Sequence, residues 1–381
     1  MLSDAIRPGD GILWGQACAE PQTLVEALLV QRAALSGCSV FLGINYSGSV
    51  KPQHADHLRL SAYCGIGHNR ALADARVLDI LPVPYSQLGA LIRDGRIRAD
   101  VVMVQVSPPN ARGEYSLGLA ADYLVPALEV CRAIVAEVND QVPWTCSERV
   151  LREDDFDRLL RTSRAPLQAP YRPAGKLEAA IARAAAALVP DGATVEFGIG
   201  ALPDAVCGAL GGHKDLVIHS GAVGDGIVEL LQRGVARQVD AAMLVGTRKL
   251  YDFARDNPAI RLRSCEYTHN PRVLDTLERF VAINSAVEVD LTGQVNGEAA
   301  RGSYVGAVGG APDFIRAANQ SPGGLSIIVV PAARVVERLS GPVSVPRSEA
   351  GVVVTERGAA DLRGCTLAER ERRLRQISGS S

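Results

Sequence analysis

Aromatic residues make up only 4% of the chain, with 3 Met and 2 Trp. No uninterrupted apolar run approaches the roughly 18 residues a membrane-crossing helix needs. Charge of one sign is not concentrated anywhere. Lys+Arg 40 against Asp+Glu 42 leave a formal charge of −2, so bulk electrostatics argue for neither nucleic acid nor a membrane surface as partner. The N-terminal MLSDAIRPGD lacks a basic segment leading into an apolar one, so no secretory signal is read there. The eight Cys are scattered without CxxC spacing, which points to reduced thiols in a cytoplasm and not to a disulfide framework or zinc site. The six His are dispersed. Only His54 and His57 lie close together, in a polar segment that reads as surface, and no metal is expected. There is no GxxxxGK[ST], which excludes a P-loop, and no GxSxG nucleophile elbow.

What is present is glycine, 37 of 381 residues, in a chain that is 47% hydrophobic and 22% charged. At about 150 residues per domain, that supplies two or three cores. Short apolar strands alternate with helical stretches, the pattern of βαβ units and largely parallel sheets. Strands are expected at 101–106, 133–138, 194–199, 216–220, 241–246, 325–331 and 351–356, with a bent pair in 282–295. A distant internal repeat shows between Gly9–Leu29 and Asp191–Leu210. Each reads turn, apolar strand, Gly, small residues, Pro, then an amphipathic helix, and Pro suits a first helical turn. Pro166, Pro170 and Pro173 mark a linker that is neither helix nor central strand. The expected architecture is therefore two similar open α/β domains, 1–165 and 176–381. Thr366 and Glu369 form a capping box for the last helix, and the SGSS tail reads as frayed.

Several places carry possible chemistry. The turn Gly198-Ile199-Gly200-Ala201-Leu202-Pro203 follows a strand and opens a helix, so its N–H groups suit a phosphate; a ligand-free βα turn fits equally. It lacks the full GxGxxG spacing and an acidic ribose partner, which disfavours a dinucleotide site. Gly309 and Gly310, in GAVGGAPDF, can present N–H groups to an oxyanion, or simply form a bulge. Glu196 stands in an otherwise apolar strand, where a carboxylate must find a partner, a cleft or solvent. His219 ends a strand beside Ser220, with Asp225 following, and a structural role weighs against a catalytic one. Cys146 and Cys265 are thiols more often buried than reactive.

Read together, ordered stretches along nearly the whole chain resemble the acetyl-CoA hydrolase/transferase family. They include LPVPYSQLGALIRDGRIRADVVMVQVSPPNARGEYSLG (81–118), AIVAEVNDQVPWT (133–145), GIGALPDAV (198–206), GDGIVEL (224–230), GTRKLYDFARDNPAI (246–260), the NP of THNPRV, AINSAVEVDLTGQVNGE (282–298), VGAVGGAPDFIRAA (305–318) and VVTERGAADLRG (353–364). The resemblance implies two duplicated α/β domains with the active site between them, acyl-CoA as substrate, and a homodimer or larger assembly. It implies that Gly198, Ile199, Gly200, Ala201 and Leu202 contact CoA, and that Gly309 and Gly310 line the thioester.

One departure stands out. Members that work by a ping-pong route use a glutamate in H-[ST]-E, shortly before DGI, which attacks the thioester. Here the text is His219-Ser220-Gly221, and glycine cannot do that chemistry. Three expectations follow. The first is an acyl-CoA enzyme that moves CoA to a carboxylic acid directly, with Gly221 leaving the pocket open for the acceptor and Glu196 or His219 as base; hydrolysis or acyl transfer to another acceptor is its alternative. The α subunits of citrate lyase and malonate decarboxylase are similar, distant precedents. The second is a relocated nucleophile, Glu196 ahead of Cys265. The third is a non-catalytic acyl-CoA-binding subunit.

Overall fold

A computed structural model of the chain describes residues 2–170 and 172–379. It divides into two units. The first takes the chain up to Ala169, then Ala242–Tyr267 and Ser303–Val305; the second takes Pro170–Ala241, Thr268–Gly302 and the chain from Gly306 onward.

The first unit is built on seven strands: β1 (Gly11–Trp14), β2 (Ser39–Leu42), β3 (Arg59–Ala62), β4 (Leu78–Ile80), β5 (Val101–Val106), β6 (Ala133–Asn139) and β7 (Arg158–Thr162). They pair in the order β7-β6-β5-β1-β2-β3-β4, every pair parallel. The central β5 and β6 are buried along their whole lengths. That is why their sequences are mostly apolar, since a parallel strand covered on both faces has no solvent side to show; the polar exceptions, Gln105, Glu137 and Asn139, are buried too. Helix α1 (Gln22–Gln31) follows β1 and packs Leu24, Val25 and Leu28 into the same core as Ile12, Val40 and Leu60.

The second unit repeats the plan. Its strands are β8 (Thr194–Phe197), β9 (Leu216–Val223), β10 (Ala236–Leu244, belonging here through Ala241), β11 (Phe280–Ser285), β12 (Leu325–Val329), β13 (Val352–Thr355) and β14 (Gly358–Asp361). Their order is β14-β13-β12-β11-β8-β9-β10. The pairs from β13 through β9 are parallel, and β14 closes the edge antiparallel to β13. The first strand of each unit therefore sits in the middle of its sheet, with the next strand on one side and a later one on the other. This is the duplication legible between Gly9–Leu29 and Asp191–Leu210. Helices α2 (Lys176–Ala186), α3 (Ala201–Ala209), α4 (Ala311–Gln320) and α5 (Leu367–Ile377) belong to this unit.

The boundary between Ala169 and Pro170 falls inside the Pro-rich stretch, which carries no helix or strand from Ser163 to Gly175 in its described residues. The expectation of two contiguous halves, 1–165 and 176–381, needs correction. Residues 242–267 return to the first unit. Ala121 N–H donates to Ala242 O at 3.0 Å, Leu244 N–H to Leu119 O at 2.8 Å, and Cys265 N–H to Asp122 O at 3.0 Å. The Tyr251 hydroxyl donates to Leu167 O at 2.7 Å.

Two smaller expectations also change. His54 is buried, not a surface residue, and its Nδ1 accepts from Lys51 N–H at 3.0 Å, closing a single turn. The tail is held as far as Gly379: Ser378 is buried, and Gly379 N–H donates to Ala332 O at 2.9 Å. The last two residues of SGSS lie outside the described ones. Among the described residues, no helix is long and apolar enough to cross a membrane.

Candidate active site

The site grows from one face of the second sheet. Side chains alternate faces along a strand, so Glu196 on β8 shares a face with Ala282 on β11, to which it is registered. Val195 is registered to Ile218; one residue further along each strand, Glu196 and His219 point to the opposite face from that pair, and Gly221, two residues after His219, points the same way as His219. Helix α4 covers this face. Its Phe314, Ala317 and Ala318 pack with Phe280, Ala282 and Leu274.

Glu196 is 3% exposed. The Asn284 amide on β11 donates to its Oε2 at 2.8 Å. Burial pushes the carboxyl up to about 8, which the bonds from Asn284 and from the backbone at Ile283 only partly oppose. At neutral pH the protonated form predominates, because a buried carboxylate without a cation loses hydration that two hydrogen bonds do not replace.

His219 is also buried, edge-on to Phe280 with ring centroids 6.3 Å apart. Its Nε2 lies 2.8 Å from Thr268 O. A carbonyl only accepts, so Nε2 carries the proton there. His219 thus fixes the backbone just before His269. Ser220 faces the opposite way, its hydroxyl donating to Phe197 O at 2.8 Å.

Gly221 does not leave the open space expected of it. A Cβ there would stand 3.1 Å from Cε1 and Nε2 of His269 and 3.8 Å from Phe314. The same imidazole presses on Gly310, where a Cβ would come within 2.5 Å of Nε2 and 3.0 Å of Phe314. His269 is 2% exposed, lies 4.5 Å from the Phe314 ring centroid, and shares a 2.9 Å hydrogen bond between Nδ1 and the Thr268 hydroxyl. Burial, reinforced by neighbouring His219, pushes its imidazole down to about 3. The ring is therefore neutral, the form that burial favours for a base. His269 sits in THNPRV, a turn without periodicity. Nothing in the linear pattern signals that a loop histidine reaches a glycine on a distant strand.

Gly309 and Gly310 stand immediately before α4, Gly309 at φ +59°. The GIG turn leaves β8 at Phe197 and enters α3 through Gly200, at φ +111°, ψ 176°. Such a backbone favours glycine, and a Cβ on Gly200 would meet nothing within 4 Å. The turn is open on that side. Ile199, Ala201 and Leu202 beside it are half-buried, and Pro203 sits in the first helical turn.

Thus His219, Gly221 and Gly310 converge through His269, and Glu196 shares their sheet face. Cys265 and Cys146 both belong to the first unit. Cys265 is fully buried, and burial raises its thiol far above the usual range; Cys146 is also raised by burial. The thiolate is the nucleophile, so neither is activated. Among the described residues, no group of three or more His, Cys, Asp or Glu is placed to hold a metal.

Twin parallel sheets of equivalent strand order, with glycine turns at the starts of α3 and α4, define the fold of a CoA-transferase-like protein. Residues 2–151 match the acetyl-CoA hydrolase/transferase N-terminal domain and residues 246–381 the corresponding C-terminal domain. The 4-hydroxybutyrate coenzyme A transferase of Clostridium kluyveri is 34% identical over 387 residues, covering 96% of this chain and 90% of that protein. RipA from Yersinia pestis superposes with a TM-score of 0.94 at 28% identity, over 99% of this chain and 92% of that one. The 4-hydroxybutyrate CoA-transferase of Porphyromonas gingivalis superposes with a TM-score of 0.82 at 31% identity and the same coverage. The chain belongs to the acetyl-CoA hydrolase/transferase family and is an acyl-CoA-processing enzyme.

Proposed function

We propose that this enzyme moves CoA between an acyl-CoA and a carboxylic acid without forming a glutamyl thioester at position 221. The observation that carries the reading is Gly221 itself, with the neutral His269 ring packed where a longer side chain would stand. In the direct route the acceptor carboxylate attacks the thioester carbonyl. A C–O bond forms, the C–S bond breaks, and CoA leaves as thiolate, giving a mixed anhydride. The thiolate then attacks the other carbonyl, and the first acid leaves as carboxylate. No net proton moves, so the protein's work is positioning and oxyanion stabilisation. Gly198, Ile199, Gly200, Ala201 and Leu202 hold CoA, and Gly309 and Gly310 line the thioester oxygen. Glu196, protonated at neutral pH, is no resting nucleophile.

Hydrolysis is the second reading. Glu196 takes a proton from water in its unprotonated form, which predominates only above about pH 8, so this route gains as pH rises; the acetyl-CoA hydrolase of Saccharomyces cerevisiae is 29% identical over 198 residues, 47% of this chain and 36% of that protein. Mass-resolved product analysis separates the two. The enzyme is mixed with a panel of acyl-CoAs, with and without a pool of carboxylic acids. Direct transfer gives new acyl-CoAs only when acid is present, with the intact protein mass unchanged at every quench time. A protein-bound CoA adduct sinks the direct route. Free CoA released regardless of acid establishes hydrolysis, and CoA binding without turnover makes the chain a binding subunit.

A further inference from the structure

We infer that the first unit carries a binding site of its own: an open cleft of about 400 Å³ over β2, β3 and β4 that takes a small organic phosphate bearing hydroxyl groups, with Arg59, Arg96 and Arg98 on the phosphate and Asp79 on the hydroxyls. The inference does not depend on the proposed CoA transfer, nor on the GIG turn, which belongs to the second unit.

The cleft follows from how the sheet is covered. Ile12, Val40, Leu60 and Leu78 are registered across β1 to β4 and all enter the core that α1 packs into. Their neighbours along each strand point the other way. On that side Gly11, Ser39 and Arg59 form one registered row, and Phe41, Ser61 and Asp79 form the next. A parallel sheet normally has both faces covered. Here the second face is open at β2 to β4 and carries hydroxyls and charges, so it suits a small polar ligand and not an apolar partner. Its volume falls within the roughly 300–1,000 Å³ of small-molecule sites.

The facing wall is Arg96-Ile97-Arg98, just ahead of β5. Ile97 is buried and its N–H donates to Leu91 O at 3.0 Å, which leaves Arg96 and Arg98 exposed on either side of it. Glycine at 11 lets this segment lie on the sheet, because a Cβ there would collide with the Cβ and main chain of Arg98. Arg98 is fixed in place by bonds to Gly9 O at 2.7 Å and Asp100 Oδ2 at 2.6 Å. Arg59 gives one N–H to Gly37 O at 3.0 Å. Among the described residues, no carboxylate pairs with Arg59 or Arg96. Each guanidinium has five N–H groups, so all three arginines keep donors for a ligand, and two of them lack a counter-anion. The planar fork of a guanidinium matches phosphate oxygens two at a time. Asp79, which also has no cation partner among the described residues, repels a bare phosphate but accepts from a hydroxyl. The cleft therefore selects a phosphate attached to a hydroxylated body over inorganic phosphate.

The test is calorimetric titration of the full chain with glucose 6-phosphate, inorganic phosphate and glucose. Saturating CoA is present so that the CoA site is filled, and salt is near the physiological level of about 0.15 M. Glucose 6-phosphate is expected to bind saturably and about 10-fold more tightly than inorganic phosphate, one added charge-assisted bond being enough for that ratio. Glucose alone is expected to give no saturable heat. Arg59→Ala and Arg96→Ala are each expected to weaken glucose 6-phosphate on the order of 10-fold, with melting temperature and catalytic turnover unchanged because both side chains are exposed and stand apart from the second unit's site. Asp79→Asn is expected to bring the two phosphates to similar affinity. Absence of saturable binding by either phosphate overturns the inference, as does binding that both arginine variants leave unchanged. Equal affinity of the wild type for the two phosphates overturns the role given to Asp79 and with it the ligand class. Failure of acid-dependent transfer would remove the proposed function alone, since these titrations need no turnover.

Discussion

Glu196 is a single residue with a measurable thermodynamic signature. Its carboxyl titrates near 8 in the fold against 4.5 in the unfolded chain. Between those values the folded state holds a proton that the unfolded state has lost. Stability from this group is therefore fully present below about pH 4.5 and is lost as pH rises through 8. One pKa unit corresponds to about 1.4 kcal/mol, so the swing across that window is on the order of a few kcal/mol. Glu196→Gln removes the titration but keeps a side chain that can meet Asn284. The variant is expected to match the wild type near pH 5 and to be the more stable near pH 8, read from urea unfolding at both. A constant difference at the two pH values would show that Glu196 does not titrate in this window. The residue was legible in the sequence because a carboxylate in an apolar strand demands an explanation, and Asn284 two residues beyond Ala282 supplies it. His269 was not legible. It belongs to a turn with no periodicity, and its meaning comes entirely from packing against Gly221 and Gly310.

At the scale of elements, local chemistry was easier to read. The buried parallel strands announce themselves as apolar runs, and the capping box at the start of α5 is present as written. Thr366 N–H donates to Glu369 Oε2 at 2.8 Å, and Glu369 N–H donates to the Thr366 hydroxyl at 3.3 Å. The GIG turn before α3 offers a paired experiment. Gly200 needs a positive φ, whereas Gly208 is helical with nothing within 4 Å of its missing Cβ. Gly200→Ala is expected to lower stability by about 1–3 kcal/mol through backbone strain. Gly208→Ala is expected to raise it by about 0.5–1 kcal/mol, because alanine is the better helix former and loses less entropy on folding. Calorimetry on the affinity for CoA adds the functional arm. Gly200→Ala weakens binding and Gly208→Ala leaves it unchanged. Equal affinities in both variants would remove the GIG turn from the CoA site.

At the scale of the whole chain, the repeat and the Pro-rich linker disclose two units, but they also mislead. A linker marks where the backbone passes from one unit to the next. It says nothing about whether the chain later comes back, and residues 242–267 do come back. Their signals, an apolar strand end and a short helix, are the same whichever unit they join. What they contribute to the first unit is backbone pairing deep in its interior. Leu119, Ala121 and Asp122 are fully or almost fully buried, and their main-chain groups pair with Leu244, Ala242 and Cys265. Buried backbone groups left without partners each lose about 1–3 kcal/mol, against a typical domain stability of about 5–15 kcal/mol. Losing several such bonds, together with the burial of Leu250, Tyr251 and Ile260, is enough to unfold the unit. Residues 1–169 expressed alone are therefore expected to lack a cooperative thermal transition by circular dichroism. The same segment joined through a flexible glycine-serine linker to residues 242–267 is expected to regain one. A sharp transition in residues 1–169 alone would mean that the first unit is complete without the returning segment, and that the two halves of the sequence are separable after all.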